Sequence, residues 1–205
     1  DHCTYYVSAI YGGTFSLGNN TDSGAKVFYE SNIADGYKVI EKNGKSAVVA
    51  KDVDNVVADK KEMKTVLVAA ASADSKNVVV DALGANIGDL DYGLTKAMVP
   101  AGSTVTIRNA VVEGQSYGNA VNGTVIFENC TFSAGVYSIH FDAGNGDVKF
   151  KNCHLYGWNS FGSSLNSVSF ENCTLEGNGS YALIRSYVNL TMTNCVINAS
   201  NANYN

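Results

Sequence analysis

An Asn-Cys pair set between two short apolar strands occurs four times in this chain: VIFENCTF from Val125, VKFKNCHL from Val148, VSFENCTL from Val168 and LTMTNCVI from Leu190. The asparagines, Asn129, Asn152, Asn172 and Asn194, are 23, 20 and 22 positions apart. One more copy, VTIRNAVVEG, sets Asn109 before Ala110, 20 positions ahead of Asn129. Self-similarity at such a period marks stacked units, none of which can bury its apolar face alone. Around each Asn the residues alternate, as Val125, Phe127, Cys130 and Phe132 do. Each unit is therefore a strand with one buried face, and the Asn marks where it turns a corner.

Asn suits that corner because it tolerates the left-handed backbone of a sharp one-residue bend, and its amide can bond to an Asn stacked above it. Cys is small and largely apolar, so it fits an inward position just past the bend. These features predict a right-handed parallel β-helix, with coils about 4.8 Å apart and an asparagine ladder along one corner. The pattern resembles the pectin-lyase-like family of solenoids over residues 77–205.

A solenoid needs its open ends covered. In ADKKEMKTVLVAAAS, Asp59 is placed as a helix N-cap with Glu62 three residues on, and Met63, Val66, Leu67 and Ala70 fall on one helical face. Residues 59–73 are expected to form an N-terminal capping helix, and NVVVDA at 77–82 to open the first coil.

Residues 1–52 do not read as a lead-in to that helix. Ile10-Tyr11-Gly12-Gly13-Thr14-Phe15-Ser16 aligns with Phe127-Glu128-Asn129-Cys130-Thr131-Phe132-Ser133, with Gly12 at the corner. YKVIEKNGKSAVVA then gives two alternating strands about an Asn43-Gly44 turn, a strong hairpin signal. A coil followed by a hairpin looks like the closing end of a β-helix, and it resembles an ending that recurs in large, repetitive cell-surface proteins of anaerobic bacteria. Asn194 stands 11 residues before the last residue and Gly12 is the twelfth, so a head-to-tail junction would span 23 residues, within the repeat range. Three readings stay open: residues 1–52 complete a neighbour's β-helix, they fold back on this chain's own last coil, or the similarity is a chance one among Gly-rich β sequences. The organisation expected is 1–52 donor-like coil and hairpin, 53–76 linker and helix, and 77–205 parallel β-helix.

Chemistry is sparse. Pectin-lyase-like enzymes resemble one another in a groove of clustered Asp with Arg, Lys or His, and the nearest match is His140, Asp142 and Arg185. His140 and Arg185 lie two coils apart, about 10 Å, too far for mutual activation. Lys149, Lys151 and His154 fall on other faces, and no carboxylate pair of the kind a glycosidase uses is evident. The four ladder cysteines would stack in a line rather than surround a metal, so free thiols and no cofactor are expected. Asn129 and Asn172 sit in Asn-x-Thr triplets, but as ladder residues they are not open to a sugar, unlike Asn19, Asn122, Asn178, Asn189 and Asn198. Tyr117, Tyr137, Trp158, Phe161 and Tyr181 could stack on sugar rings or fill loop contacts.

With a net charge of −5 and only Arg108 and Arg185 as arginines, the chain offers no phosphate-binding groove, and no apolar run is long enough to span a membrane. Opening at DHCTYYV, it is expected to be a mature or excised segment without a signal peptide. The expectation is an extracellular or cell-surface structural subunit that joins copies of itself head to tail. Tyr6, Val7, Ile10, Gly12, Thr14 and Phe15 would form the donated coil, and Asn194, Cys195 and Ile197 the accepting end. The alternative is a polysaccharide-active enzyme or carbohydrate-binding module built on His140, Asp142 and Arg185.

Overall fold

The computed structural model describes residues 9–16, 32–42, 44–72, 76–89, 93–114, 116–133, 137–177 and 181–200. The chain divides into two compact units, Asp1–Val56 and Val57–Asn205.

In the first unit, β1 (Gly13–Ser16), β2 (Tyr37–Lys42) and β3 (Lys45–Ala50) form an antiparallel sheet in the order β1-β3-β2, and a short strand, β4 (Asn55–Val56), ends the unit. The expected hairpin is present, with Lys42 opposite Lys45 and Gly44 in the left-handed region at φ 72°. Asn43 lies outside the described residues. The preceding stretch departs from expectation: Gly13 pairs with Val48 and Ser16 with Lys45, so β1 runs antiparallel on the open edge of β3 instead of curling as a parallel coil. The positive φ falls on Gly13, at 119°, rather than on Gly12. A hairpin edge presents unpaired backbone groups, and pairing with β1 satisfies them.

The second unit opens with α1 (Lys60–Ser72). Its start is fixed by Asp59, whose Oδ1 accepts the Glu62 N–H at 2.8 Å, while Glu62 Oε2 reaches back to the Ala58 N–H at 2.8 Å. Met63 and Leu67 are buried in one core with Val78 and Val80 of β5 (Asn77–Asp81), and Val66 and Ala70 pack against it. The four positions read as one apolar face therefore cover the first coil.

The coils follow in chain order. β6 (Thr104–Arg108), β7 (Val111–Glu113) and β8 (Ser116–Ala120) make one, and β9 (Thr124–Glu128), β10 (Thr131–Ser133) and β11 (Tyr137–Ala143) the next. β12 (Asp147–Lys151), β13 (His154–Tyr156) and β14 (Trp158–Phe161) repeat it, as do β15 (Ser167–Glu171), β16 (Thr174–Glu176) and β17 (Ile184–Ser186). β18 (Leu190–Thr193) and β19 (Val196–Asn198) complete a right-handed parallel solenoid of about six turns. Three parallel sheets result: β5-β6-β9-β12-β15-β18, β7-β10-β13-β16-β19 and β8-β11-β14-β17.

Register is held from inside and outside. Inside, Val80, Ile107, Phe127, Phe150, Phe170 and Met192 occupy equivalent positions of successive coils. The rings of Phe127 and Phe150 stack at 5.4 Å, and Phe132 and Phe141 meet Phe127 edge-on. Each fully buried Phe contributes roughly 2–3 kcal/mol of transfer free energy. Outside, Asp81, Arg108, Glu128, Lys151 and Glu171 fall side by side with alternating sign, and Arg108 Nε donates to Glu128 Oε2 at 2.6 Å. A slip by one coil would preserve the pattern of apolar residues but set like charges together.

The corner residues Asn109, Asn129, Asn152, Asn172 and Asn194 all adopt φ between 52° and 55°. Their backbone N–H groups donate up the stack: Asn109 to Glu128 C=O at 3.0 Å, and Asn129, Asn152 and Asn172 to Lys151, Glu171 and Thr193 at 2.9 Å. Side-chain amides add Asn129 to Asn109 at 3.4 Å and Asn172 to Asn152 at 3.2 Å. At the start of the ladder stands Asp81, whose Oδ2 accepts the Asn109 amide at 2.9 Å.

Candidate functional site

One face of the solenoid gathers aromatic and ionisable side chains. Tyr137 of β11 and Trp158 of β14 are register partners whose rings lie 5.2 Å apart, and Tyr181, from the loop before β17, stacks on Trp158 at 5.1 Å and 17°. His140 meets Trp158 edge-on at 4.7 Å and Tyr137 at 5.7 Å. In sequence these rings recur at intervals of 21 and 23, which is the repeat period itself, so their convergence follows from the stack. Sequence reasoning named Tyr137, Trp158 and Tyr181 among the aromatics without using that signal. Tyr117 has a described backbone only, and Phe161 is a core ring, stacked on Phe141 at 6.4 Å.

The same face carries the proposed His140, Asp142 and Arg185. His140 pairs in register with Ser160 and Ser160 with Arg185, so two strand spacings, about 10 Å, separate His140 from Arg185 as the repeat predicts. Of the three, Asp142 and Arg185 are exposed to solvent and only His140 is not. His140 is buried under the rings, and this burial lowers its pKa; Arg185 acts in the same sense and Asp142 against it. Burial thus favours the neutral imidazole. Asp142 is exposed and accepts the Gly118 N–H at 3.2 Å, while Arg185 lies over the Tyr187 ring, 4.7 Å from its centroid. On the same strands, Trp158 Nε1 and Ser138 Oγ are buried with no hydrogen-bond partner among the described residues. Together the groups offer flat apolar surface, a cation and an anion, the elements that recognise a ligand with both C–H faces and polar edges.

A second outward group lies on the adjoining sheet. His154 Nε2 is 2.6 Å from Glu176 Oε2, and this bond, with help from Tyr156 and Asn198, holds the Glu176 carboxyl below its ordinary range. Lys149 and Lys151 belong to β12 on the remaining sheet, so neither converges with His154 or His140. Among the described residues no group of three or more His, Cys, Asp or Glu is placed to hold a metal ion.

The last coil is the other distinctive surface. Leu175 is fully buried, yet Ile197, its register partner one coil on, is 53% exposed, and neighbouring Val196 is 62% exposed. Asn194 keeps the ladder conformation, but its N–H has no further coil to meet among the described residues, and Cys195 is half-buried where Cys130, Cys153 and Cys173 are buried. Of the residues expected to be donated, Ile10 forms an isolated parallel bridge with Ile33, Gly12 and Thr14 are exposed, and Phe15 pairs with Ser46. Tyr6 and Val7 lie outside the described residues.

Coils of three parallel sheets turning at left-handed asparagines define a right-handed parallel β-helix protein. The family described as the right handed beta helix region matches residues 96–203, and the chain belongs to it. That family spans enzymes and non-enzymes. No curated protein and no solved structure matches the chain. No helix among the described residues is long and apolar enough to cross a membrane.

Proposed function

We propose that the chain is a structural or adhesive subunit of an extracellular or cell-surface assembly, joined head to tail with copies of itself. The observation that carries this reading is the last coil, which no coil follows among the described residues and where Val196 and Ile197 are exposed while equivalent residues one coil earlier are not. At the opposite end Met63 and Leu67 of α1 occupy the place where another copy's coil would have to stack. The natural occupant is therefore the N-terminal β segment of a neighbouring molecule, contributing Tyr6, Val7, Ile10, Gly12, Thr14 and Phe15 against Asn194, Cys195 and Ile197. An edge strand such as β1, paired over four residues, exchanges partners at low cost. Repetition of a contact of this kind does not close on itself and gives a filament.

Electron microscopy of the intact chain, beside a chain lacking residues 1–52 and an Ile197→Asp variant, tests the reading. Filaments from the intact chain alone are expected. Compact monomers from the intact chain overturn it.

A second reading rests on Trp158 and Tyr181: their stacked rings, with Asp142 and Arg185 on the same face, suit a carbohydrate-binding module or a polysaccharide-active enzyme. Trp158 is the only tryptophan, so its fluorescence during titration with pectin or alginate reports on this face directly. A flat titration with no turnover removes this alternative.

A further inference from the structure

The four ladder cysteines are chemically unequal, and the difference lies at the open end. Each interior thiol is held by two backbone carbonyls, one two residues back and one on the preceding coil. For Cys130 these are Glu128 and Ile107, both at 3.4 Å. Cys153 uses Lys151 at 3.2 Å and Phe127 at 3.4 Å, and Cys173 uses Glu171 at 3.3 Å and Phe150 at 3.5 Å. Cys195 retains only the first kind, to Thr193 at 3.4 Å, and it alone of the four is not buried.

Cys173 and Cys195 also occupy adjacent corners of the ladder. The residues flanking them are paired on both sides, Glu171 with Thr193 and Thr174 with Val196, so the two corners sit one strand spacing apart. That separation of about 4.8 Å lies inside the Cα range of roughly 4.4–6.8 Å that a disulfide spans. In-register parallel side chains still need one Cβ to move closer to reach the disulfide torsion. Cys130 and Cys153 are locked between coils above and below and have no such freedom. Cys195 has no coil beyond it among the described residues.

We propose that Cys173 and Cys195 form an oxidisable dithiol that closes to an inter-coil disulfide when the chain meets a peroxide. Where no neighbouring molecule is seated on the last coil, Cys195 is the sulfur a small oxidant reaches first. Its thiolate attacks one peroxide oxygen, the O–O bond breaks, and hydroxide leaves and is protonated to water, giving the Cys195 sulfenic acid. The Cys173 thiolate then attacks the Cys195 sulfur, the S–O bond breaks, and a second water departs as the S–S bond forms. Two thiols and one hydrogen peroxide thus give one disulfide and two waters. Cys173 is poised for the second step, since hydrogen bonding from the Cys153 thiol, aided by the Cys153 N–H at 3.5 Å, lowers its pKa to about 7. Hydrogen bonding with Cys130 and Cys173, together with burial, pushes Cys153 up, so it stays a thiol.

The test is a thiol map of the intact chain, taken from its monomeric fraction, exposed to hydrogen peroxide under native conditions, then alkylated in denaturant. Cleavage after Glu128, Glu171 and Glu176 places Cys173 and Cys195 on separate peptides, with Cys130 and Cys153 together on a third. The expected product joins residues 172–176 to 177–205 with the loss of two hydrogens, while the third peptide keeps both thiols alkylatable. In a Cys195→Ser chain Cys173 should remain fully alkylatable after the same treatment. The proposal is overturned if the native chain leaves both thiols free, if Cys195 stops at a sulfinic acid with Cys173 free, or if Cys195 links to any other cysteine. Because the wild-type map alone decides among these outcomes, failure of the serine variant to fold would leave the test intact.

Discussion

The rings of Phe150 and Phe170, one coil apart and paired in register, lie 4.8 Å from each other and 7° from parallel. Phe150 also faces Phe127 on its other side and meets Phe132 and Phe161 edge-on. Truncating it empties the middle of the stack, where coils fixed above and below cannot collapse. Phe150→Ala is expected to cost about 3–5 kcal/mol, read as a lower urea midpoint with unchanged slope. Met192→Ala, at the partly buried end of the same column, should cost clearly less. Equal losses at the two positions would contradict this account of the core.

Asn172 separates two contributions to the corner. Asn172→Gly keeps the left-handed backbone but loses the amide bond to Asn152, a loss of about 1 kcal/mol. Asn172→Ala loses the same bond and adds about 1–2 kcal/mol for an L side chain at φ 53°. Urea unfolding should therefore rank the native chain above the Gly variant and the Gly variant above the Ala variant. The reverse order for Gly and Ala would show that backbone handedness is not what selects Asn.

Gly144 lies against the backbone of the preceding coil. A Cβ there would fall 1.9 Å from the Val121 carbonyl oxygen, and the backbone is at φ 110°. Gly144→Ala should destabilise the solenoid by about 3 kcal/mol or more, since the obstacle is backbone and cannot swing aside. A midpoint within error of the native chain would refute that.

His140 gives a pH dependence whose sign is fixed. Burial lowers its pKa in the folded chain, so the unfolded chain binds the proton more readily. Above the unfolded value, near 6.5, both states are neutral there and nothing is lost; as pH falls through that value, unfolding takes up a proton and stability declines. Glu176 acts further into acid: its lowered pKa supports folding above the ordinary carboxylate range, and that support goes as pH drops through its folded value. Thermal midpoints of the native chain should fall between pH 7.5 and pH 5.5, whereas His140→Gln should flatten that limb and leave the acid limb in place. An unchanged slope in the variant would assign the pH 5.5–7.5 limb to another group.

The sequence carried the corner more clearly than anything else because only Asn and Gly adopt its backbone without strain, so the residue type records the geometry directly. The first coil escaped this reading. Its corner is Leu83, at φ 52°, and the stabilising carboxylate is two residues earlier, where Asp81 Oδ1 accepts the Leu83 N–H at 2.8 Å. The helix was legible through Asp59 and Glu62, whose side chains act locally. β1 was not, because the same alternation suits a parallel coil or an antiparallel edge, and pairing direction leaves no mark on residue type. His140 showed a similar limit: alternation places it outward, but whether outward means wet depends on rings brought over it from other coils. The face around Trp158 was readable only as scattered aromatics until their spacing was set against the repeat.

Because, among the described residues, each coil meets the coil before it and the coil after it, and α1 covers the first coil, the solenoid behaves as a zipper whose last described coil is the free tab. Loss of β18 and β19 uncovers Leu175 and Phe170 and leaves a new end of the same kind, so opening proceeds coil by coil toward α1. Hydrogen exchange should accordingly rise in steps from slow amides in β5 and β6 to fast ones in β18 and β19. Whatever seats itself on Ile197 would slow the entire series by holding the tab.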